Sequence, residues 1–272
     1  MKEVIVRFLS GVLYISIFLF SLFMSREWYI GLLFILAVIT LNEFLKLVNL
    51  KGIIAYIILA ISFYFLADMT PEEIDEIANS VLILLSVTIL VNLFLIRDIL
   101  VLNKTSLFKS KRYFCIIFYI ISGFVFLSLI PITNKVFEPK IILGIFILVW
   151  TNDTFAYLVG KGVGKRKLME KISPKKTIEG FFGGMAGALL ASFIFFKFTS
   201  IYNLIFWLFL ALLVSVLGTI GDLIQSKFKR LAGVKDSGNI MPGHGGVYDR
   251  LDSIIFASPF IYLFIIIINY VS

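Results

Sequence analysis

Residues 226–252 read SKFKRLAGVKDSGNIMPGHGGVYDRLD and separate two strongly apolar segments, 204–222 and 252–271. Apolar runs of this kind approach the roughly 20 residues that a helix needs to cross the hydrocarbon core of a bilayer. The whole chain shares this character, because 60% of its 272 residues are hydrophobic and only 15% are charged. Its mean hydropathy is +1.02, far above that of a soluble domain. The composition therefore predicts an all-α, polytopic integral membrane protein.

Nine apolar segments are long enough to be interpreted as transmembrane helices. They are residues 6–25, 28–45, 52–68, 77–96, 113–131, 141–159, 178–196, 204–222 and 252–271. The second segment is the weakest, because Glu43 and Lys46 shorten its apolar run. The first lacks a small-residue cleavage site, so we interpret it as a retained span and not as a signal peptide. The single cysteine, Cys115, excludes a disulfide framework and a cysteine-based metal site.

The distribution of positive charge predicts the orientation of these spans. With nine spans, 21 of the 25 Lys and Arg residues fall on the face that carries the N-terminus and loops 46–51, 97–112, 160–177 and 223–251. Lys and Arg concentrate on the cytoplasmic side of membrane proteins. We therefore expect a cytoplasmic N-terminus, an external C-terminus and a multi-pass location in the cell (inner) membrane.

Polar residues inside the apolar segments are concentrated in the second half of the chain. Residues 1–140 are nearly featureless hydrophobic segments and are predicted to form a scaffold half. Residues 141–272 carry nearly every polar group within a span and are predicted to form a catalytic half, with cytoplasmic loops 160–177 and 223–251. The chain has no long linker, so both halves are expected to belong to one continuous membrane domain.

Asp153 interrupts the sixth apolar segment. At 1.5 Å per residue it lies roughly 10 Å from the end of the helix near Gly160. Asp153, Tyr157 and Lys161 recur every four residues and so share one helical face. An ionised carboxylate at this depth costs at least a few kcal/mol, which indicates a functional residue. The alternative is that Asp153 pairs with Lys161 or a neighbouring helix and serves packing alone.

The loop 160–177 holds seven cations and one acid. It differs from a phosphate-binding P-loop, because Gly160 and Gly164 are one residue too close and Arg166 replaces the required Ser or Thr. It is interpreted as a flexible cationic loop that contacts phosphate oxygens. The alternative is a positively charged anchor that contacts anionic lipid headgroups.

The next segment begins after Ser173 and Pro174. This pair predicts a helix start, with Ser as the N-cap and Pro at the first helical position. Glu179 follows at the entrance of the seventh apolar segment. Small residues four apart favour close helix packing, and this segment has two such pairs, Gly180/Gly184 and Gly183/Gly187.

Carboxylates flank the loop 223–251 on both sides. Asp222 ends the eighth apolar segment, with Ser226 one turn further on the same face, and Asp249 and Asp252 begin the ninth. Two spans joined by one loop can lie side by side, which would bring Asp222 and Asp249 together. Oxygen ligands without cysteine favour a hard cation such as Mg²⁺ over Zn²⁺. The alternative is that the acids of the ninth segment pair with the cations of the loop.

At these residues the chain resembles the signature of phosphatidate cytidylyltransferases, also called CDP-diacylglycerol synthases. The matching pattern is Ser226-x2-Lys229-Arg230-x4-Lys235-Asp236-x-Gly238-x3-Pro242-Gly-His-Gly-Gly-x2-Asp249-Arg250-x-Asp252. A second block is similar to the family's upstream pattern: Asp153-x2-Ala-Tyr157 through Gly164, then Ser173-Pro174-x-Lys176-Thr177-x-Glu179-Gly180 and Gly183-Gly184. Met241 is the one visible departure, since these enzymes usually carry Leu, Ile or Phe there. The resemblance covers about 151–252, and residues 1–140 match only in being hydrophobic.

The resemblance implies a reaction in phospholipid biosynthesis, in which CTP and phosphatidate give CDP-diacylglycerol and pyrophosphate. The expected cofactor is Mg²⁺, and a second cation is an open alternative. Asp222 and Asp249 are the expected metal ligands. The expected triphosphate ligands are the cations Lys229, Arg230, Lys235 and Arg250. The remaining members of the predicted catalytic set are Asp236, Asp252 and His244. The predicted substrate-binding set is Asp153, Lys165, Ser173, Lys176, Glu179, Ser226, Gly243, Gly245 and Gly246.

Lys165 and Lys176 are the candidates for the lipid phosphate. His244 is interpreted as a structural or phosphate-contacting residue, because the attacking phosphate is already ionised near pH 7. The expected partners are CTP, phosphatidate and the lipid bilayer, with a homodimer left open and no nucleic acid.

Two other classes of protein stay in view. A CTP-dependent polyprenol or lipid-alcohol kinase could use similar carboxylates, but it would release CDP. An ion-coupled transporter would explain Asp153, Asp222 and Asp249 as ion sites. It would leave the glycine-rich turn at 242–246 and the surrounding cations unexplained.

Overall fold

The computed structural model describes residues 2–70, 73, 77–100, 112–133, 135–199, 201–240 and 245–271. Within these ranges, each of the nine predicted apolar segments coincides with a helix. In chain order the helices are α1 (Lys2–Met24), α2 (Arg26–Leu47), α3 (Ile53–Asp68), α4 (Ala78–Leu100), α5 (Arg112–Leu129), α6 (Pro139–Val163), α7 (Ile178–Phe198), α8 (Leu204–Leu231) and α9 (Tyr248–Val271). The prediction of an all-α polytopic membrane protein is therefore confirmed.

The helices differ in how well they satisfy the length of a membrane span. Seven of those in the described ranges are long and apolar enough to cross a membrane. The other two, α3 and the apolar part of α1 (Leu9–Met24), are shorter. Seven spans are thus supported by length and composition, and the full count of nine stays a prediction.

Two short antiparallel hairpins accompany the helices. Strand β1 (Ile132–Thr133) pairs with β2 (Val136–Phe137), and β3 (Lys167–Met169) pairs with β4 (Ser173–Thr177). The second hairpin occupies most of the loop 160–177, which was interpreted as a flexible cationic loop.

The predicted helix start at Ser173 and Pro174 is wrong, because both residues lie in strand β4. Helix α7 begins at Ile178, and Thr177 is its N-cap, with Oγ1 accepting a hydrogen bond from the Gly180 N–H at 3.1 Å. The missing N–H of a proline is tolerated in a two-stranded hairpin, where each strand has a free edge. The hydroxyl of Thr177, three residues after Pro174, caps the helix in place of the predicted Ser173.

Helices α6 and α7 pack at very close range. A β-carbon on Gly184 would lie 2.7 Å from the carbonyl oxygen of Asn152, and one on Gly180 would lie 2.8 Å from that of Ala156. Added β-carbons on the other pair, Gly183 and Gly187, would collide with Val159 and Phe155. The predicted role of both glycine pairs in close packing is confirmed.

Helix α5 is the most buried of the seven long apolar helices. Its middle, Ile116–Ile121, is a π-helix between two α-helical parts, Arg112–Cys115 and Ser122–Leu129. A π-helical turn accommodates one more residue than an α-helical turn. Tyr119, inside this segment, has its hydroxyl 2.9 Å from that of Tyr248 on α9.

Side-chain hydrogen bonds connect loops 46–51, 160–177 and 223–251 and the two ends of loop 97–112 at one end of the bundle, called here the cation-rich end. Arg112 donates to the carbonyl oxygen of Val48 at 2.5 Å. Lys227 donates to that of Asp98. Arg230 Nε lies 3.4 Å from the carbonyl oxygen of Ile172. The ends of α2, α4 and α8 therefore meet the start of α5 and the second hairpin, as the alternation of spans predicts.

We predict that Gly184→Ala lowers the free energy of unfolding by about 1–3 kcal/mol, the usual cost of overpacking. The added methyl group would meet a backbone carbonyl, which cannot rotate away. Thermal unfolding of the protein in detergent, followed by tryptophan fluorescence, would measure the change. Gly31→Ala is the matched control, because a β-carbon there meets no atom within 4 Å. Equal stability of the two variants would contradict the close packing.

Candidate active site

A polar cavity of about 630 Å³ lies at the cation-rich end, between α6 and α7 on one side and α8 and α9 on the other. The second hairpin and the loop before α9 complete its wall. Its five carboxylates are Asp153, Asp222, Asp236, Asp249 and Asp252. Its six cations are Lys161, Lys167, Lys175, Lys176, Lys229 and Arg250. The cavity thus combines most of the predicted acids with several predicted and several unpredicted cations.

Asp222 is held between two neighbours. Its Oδ2 lies 2.5 Å from Nζ of Lys176, and its Oδ1 accepts a hydrogen bond from Ser226 Oγ at 3.2 Å. The predicted common face of Asp222 and Ser226 is therefore confirmed. Lys176 comes from strand β4, so the hairpin, and not a helix, carries this lysine to the carboxylate.

Asp249 is more deeply enclosed, with 7% of its side chain exposed. Its Oδ1 lies 2.7 Å from Nζ of Lys229. Its Oδ2 accepts from the Ser237 N–H at 2.9 Å, the Ser237 hydroxyl at 3.0 Å and the Gly246 N–H at 3.0 Å. Gly245 has a φ of +90°, a conformation that favours glycine, and this turn directs the next amide to the carboxylate.

Two further acids line the same cavity. Asp153 Oδ1 accepts from the amide of Asn152 at 3.3 Å. Asp252 is buried, accepts from the Ser253 N–H at 2.7 Å, and interacts electrostatically with Asp222 and Asp153. The three aspartates therefore come from α6, α8 and α9 to line one cavity.

Lys161 does not pair with Asp153 in the structure. Its ammonium group lies 5.7 Å from the centroid of the Tyr157 ring, a cation–π contact. Lys161 and Tyr157 nevertheless line the cavity together with Asp153, so their predicted common face is confirmed.

The cavity wall contains amide groups without hydrogen-bonding partners. Gln225 is 0% exposed, and among the described residues neither of its amide atoms has a partner. The same holds for Oδ1 of Asn152. An unpaired buried polar group costs about 1–3 kcal/mol. A ligand that offers both donors and acceptors would remove this cost. Sequence reasoning missed Gln225, although a polar residue between Asp222 and Ser226 was a usable signal.

Several predicted site residues lie outside the cavity wall. Glu179 accepts from the backbone N–H groups of Lys165 at 3.0 Å and Arg166 at 3.1 Å, so it holds the second hairpin to the start of α7. Arg230 contacts the carbonyl oxygens of Ile172 and Val234. Ser173 lies in β4, and Lys235 is exposed in the loop after α8. Their predicted roles in binding substrate stay predictions.

Gly243 and His244 lie outside the described residues, and so do Met241 and Pro242. Among the residues that line the cavity, Lys167 and Lys175 were absent from the predicted set. The cationic composition of their loop was a signal, but their positions depend on the pairing of β3 with β4.

The donor set is consistent with a hard cation. Mg²⁺ commonly binds one or two carboxylates and completes its shell with waters and substrate phosphates. The described residues contain no group of three or more His, Cys, Asp or Glu side chains arranged around one point. Asp222 and Asp249 line the same cavity, so they are the two carboxylates that could hold such a cation. Each now contacts a lysine, Lys176 or Lys229, that a bound cation would replace.

The chain belongs to the cytidylyltransferase family, whose family model matches its residues 5–268. The phosphatidate cytidylyltransferase of Staphylococcus haemolyticus (strain JCSC1435) is 35% identical over 270 residues, covering 96% of this chain and 98% of that protein. The enzyme of the same name from Bacillus subtilis (strain 168) is 36% identical over 263 residues, covering 94% and 95%. That from Staphylococcus aureus (strain COL) is 37% identical over 241 residues, covering 85% and 87%.

The extent of this similarity corrects one expectation. The resemblance was expected to cover about 151–252 only, but the family match begins at residue 5. Residues 1–140 therefore share more with the family than hydrophobicity. The division into a scaffold half and a catalytic half stays a prediction.

We predict that Lys229→Met lowers the free energy of unfolding by up to about 3–5 kcal/mol, because the nearly buried Asp249 carboxylate loses its cationic partner and keeps only the hydrogen bonds to its Oδ2. The double variant Lys229→Met/Asp249→Asn should recover most of this loss, since it removes both charges. Chemical denaturation in detergent would measure both. If the double variant were less stable than the single one, the pair would not be a charge-compensating interaction.

Proposed function

We propose that the protein transfers the cytidylyl group of CTP to phosphatidate, giving CDP-diacylglycerol and pyrophosphate. The observation that carries the proposal is the cavity of five carboxylates and six cations. The cavity lies in a membrane helix bundle, and relatives of this chain bear the name phosphatidate cytidylyltransferase. A lipid-alcohol kinase and an ion-coupled transporter are less well supported. Neither explains both the lysines that pair with Asp222 and Asp249 and the similarity of the chain to phosphatidate cytidylyltransferases.

The reaction joins two anions, so positioning and charge compensation are the main tasks of the protein. A phosphate oxygen of phosphatidate attacks the α-phosphorus of CTP in line. The new P–O bond forms as the bond to the bridging oxygen of the β-phosphate breaks, and pyrophosphate leaves. The attacking oxygen is already ionised, so no side chain has to remove a proton.

The lysines that now pair with carboxylates are the groups best placed to bind the phosphates. Mg²⁺ held by Asp222 and Asp249 would compensate charge on phosphate oxygens of both substrates. Lys176 and Lys229, whose side chains are 26% and 12% exposed, would then turn from the carboxylates to those oxygens. Arg250, also in the wall, adds a planar group suited to bidentate contacts.

The proposed site faces the cytoplasm, where CTP is available. The loops predicted to share this face contain most of the Lys and Arg residues, and these residues concentrate on the cytoplasmic side of membrane proteins. Phosphatidate would keep its acyl chains in the bilayer, because each CH₂ transferred to water costs about 0.8 kcal/mol. Its headgroup alone has to reach the cavity.

We predict that the purified protein releases pyrophosphate from CTP only when phosphatidate and a divalent cation are present. Labelled CTP, followed by separation of pyrophosphate, CDP and lipid products, would test this. Release of CDP with a phosphorylated alcohol would assign the protein to the kinases. The absence of any turnover would favour transport.

We predict that Asp222→Asn and Asp249→Asn each reduce turnover by a factor on the order of 100 or more, because a lost metal ligand removes several kcal/mol of transition-state stabilisation. Turnover would be measured across a Mg²⁺ titration. The control Glu73→Gln removes an exposed carboxylate outside the cavity and should be neutral. Near-normal activity of Asp249→Asn at low Mg²⁺ would overturn the metal assignment.

A further inference from the structure

Glu43, near the end of α2, forms a contact that neither the motifs nor the proposed mechanism uses. Its side chain is buried, with 2% of the residue exposed. Oε1 accepts a hydrogen bond from the Val247 N–H at 3.0 Å, and Oε2 accepts from the Tyr248 N–H at 2.9 Å. Oε2 also accepts from the Ser237 hydroxyl at 2.8 Å. One carboxylate from the first half of the chain thus accepts hydrogen bonds from Ser237 and from Val247 and Tyr248, where α9 begins.

The loop leaves room for this carboxylate by means of glycines. A β-carbon at Gly238 or at Gly246 would collide with the oxygens of Glu43. Two of the glycines in the loop therefore allow the backbone to approach Glu43 closely.

Ser237 connects Glu43 to Asp249. Its hydroxyl lies 2.8 Å from Glu43 Oε2 and 3.0 Å from Asp249 Oδ2, so one proton serves two carboxylates. The N–H groups of Ser237 and Gly246 bind the same Asp249 oxygen. The three donors to Asp249 Oδ2 therefore belong to Ser237, which itself bonds to Glu43, and to Gly246, which directly precedes Val247, another residue that bonds to Glu43.

Glu43 itself is not in the cavity wall. Its negative charge is compensated by three donors and by the N-terminus of α9, where the helix dipole favours an anion. Its hydrogen bonds to Ser237, Val247 and Tyr248 connect it to the cavity through Asp249.

We propose that Glu43 is a positioning residue that fixes Asp249 in the orientation needed to bind the divalent cation. This inference rests on the proposed function in one respect, the assignment of Asp249 as a metal ligand. Groups that orient metal ligands typically change metal affinity or activity by about 10–100-fold when they are lost.

Glu43→Gln tests the proposal, since it keeps the size of the side chain but replaces one acceptor with an NH₂ group that faces donors. We expect the half-saturating concentration of Mg²⁺ to rise by about tenfold or more, together with a lower kcat. Binding of Mn²⁺ to the substrate-free protein, measured by electron paramagnetic resonance, should weaken by a similar factor. This second readout does not depend on turnover.

Ser258→Ala on α9 is the control, because it removes a buried hydrogen bond from the helix that carries Asp249. That bond is to the carbonyl oxygen of Gly123 at 2.6 Å, outside the cavity wall. The substitution should lower thermal stability while leaving Mn²⁺ binding and the Mg²⁺ dependence unchanged. If Glu43→Gln behaved in the same way, its role would be structural only and the proposal would be overturned.

Ser237→Ala provides a milder variant if Glu43→Gln does not fold. It keeps both hydrogen bonds that Glu43 accepts from the N–H groups of Val247 and Tyr248, and it removes only the shared hydroxyl. We expect a smaller weakening of Mn²⁺ binding, and unchanged binding would overturn the proposal. Failure of the proposed function is a separate result, because wild-type protein would then bind Mn²⁺ without converting CTP and phosphatidate.

Discussion

The cost of holding carboxylates beside hydrocarbon is the constraint on which the rest of this structure depends. Charge in such surroundings is tolerated only when it is paired or hydrogen-bonded. Asp222 is compensated by Lys176, and Asp249 by Lys229. Glu43 is compensated by backbone amides and the Ser237 hydroxyl. The second hairpin brings Lys176 to Asp222, and Ser237 and Gly246, which precede α9, bring backbone N–H groups to Asp249.

Features that depend on local spacing could be predicted from the sequence. Apolar runs located every long helix, because the thickness of the bilayer sets their length. Residues four apart shared a face as expected, which placed Asp153 in the cavity and Ser226 on Asp222. The glycine pairs of α7 predicted a close helix contact for the same reason, and the structure shows that the partner is α6.

Features that depend on distant partners could not be predicted. Glu43 binds Ser237 and Val247 across sequence separations of 194 and 204 residues. In the sequence it therefore appeared only as a charge that shortens an apolar run. Pro174 was misread because a proline suits both the first turn of a helix and a strand with a free edge. Only the pairing of β3 with β4 distinguishes the two.

The π-helical segment Ile116–Ile121 has a consequence for comparing this chain with others. The extra residue of a π-helical turn is accommodated within that turn. A relative that lacked one residue here could form a regular α-helix, and the helix on either side of the deletion would keep its orientation. The positions of Tyr119 and Gly123, which meet α9 on either side of the segment's end, would then still face that helix. A single-residue gap in an alignment at this point would therefore mark a change confined to one helical turn, with the helices on both sides of it still in register.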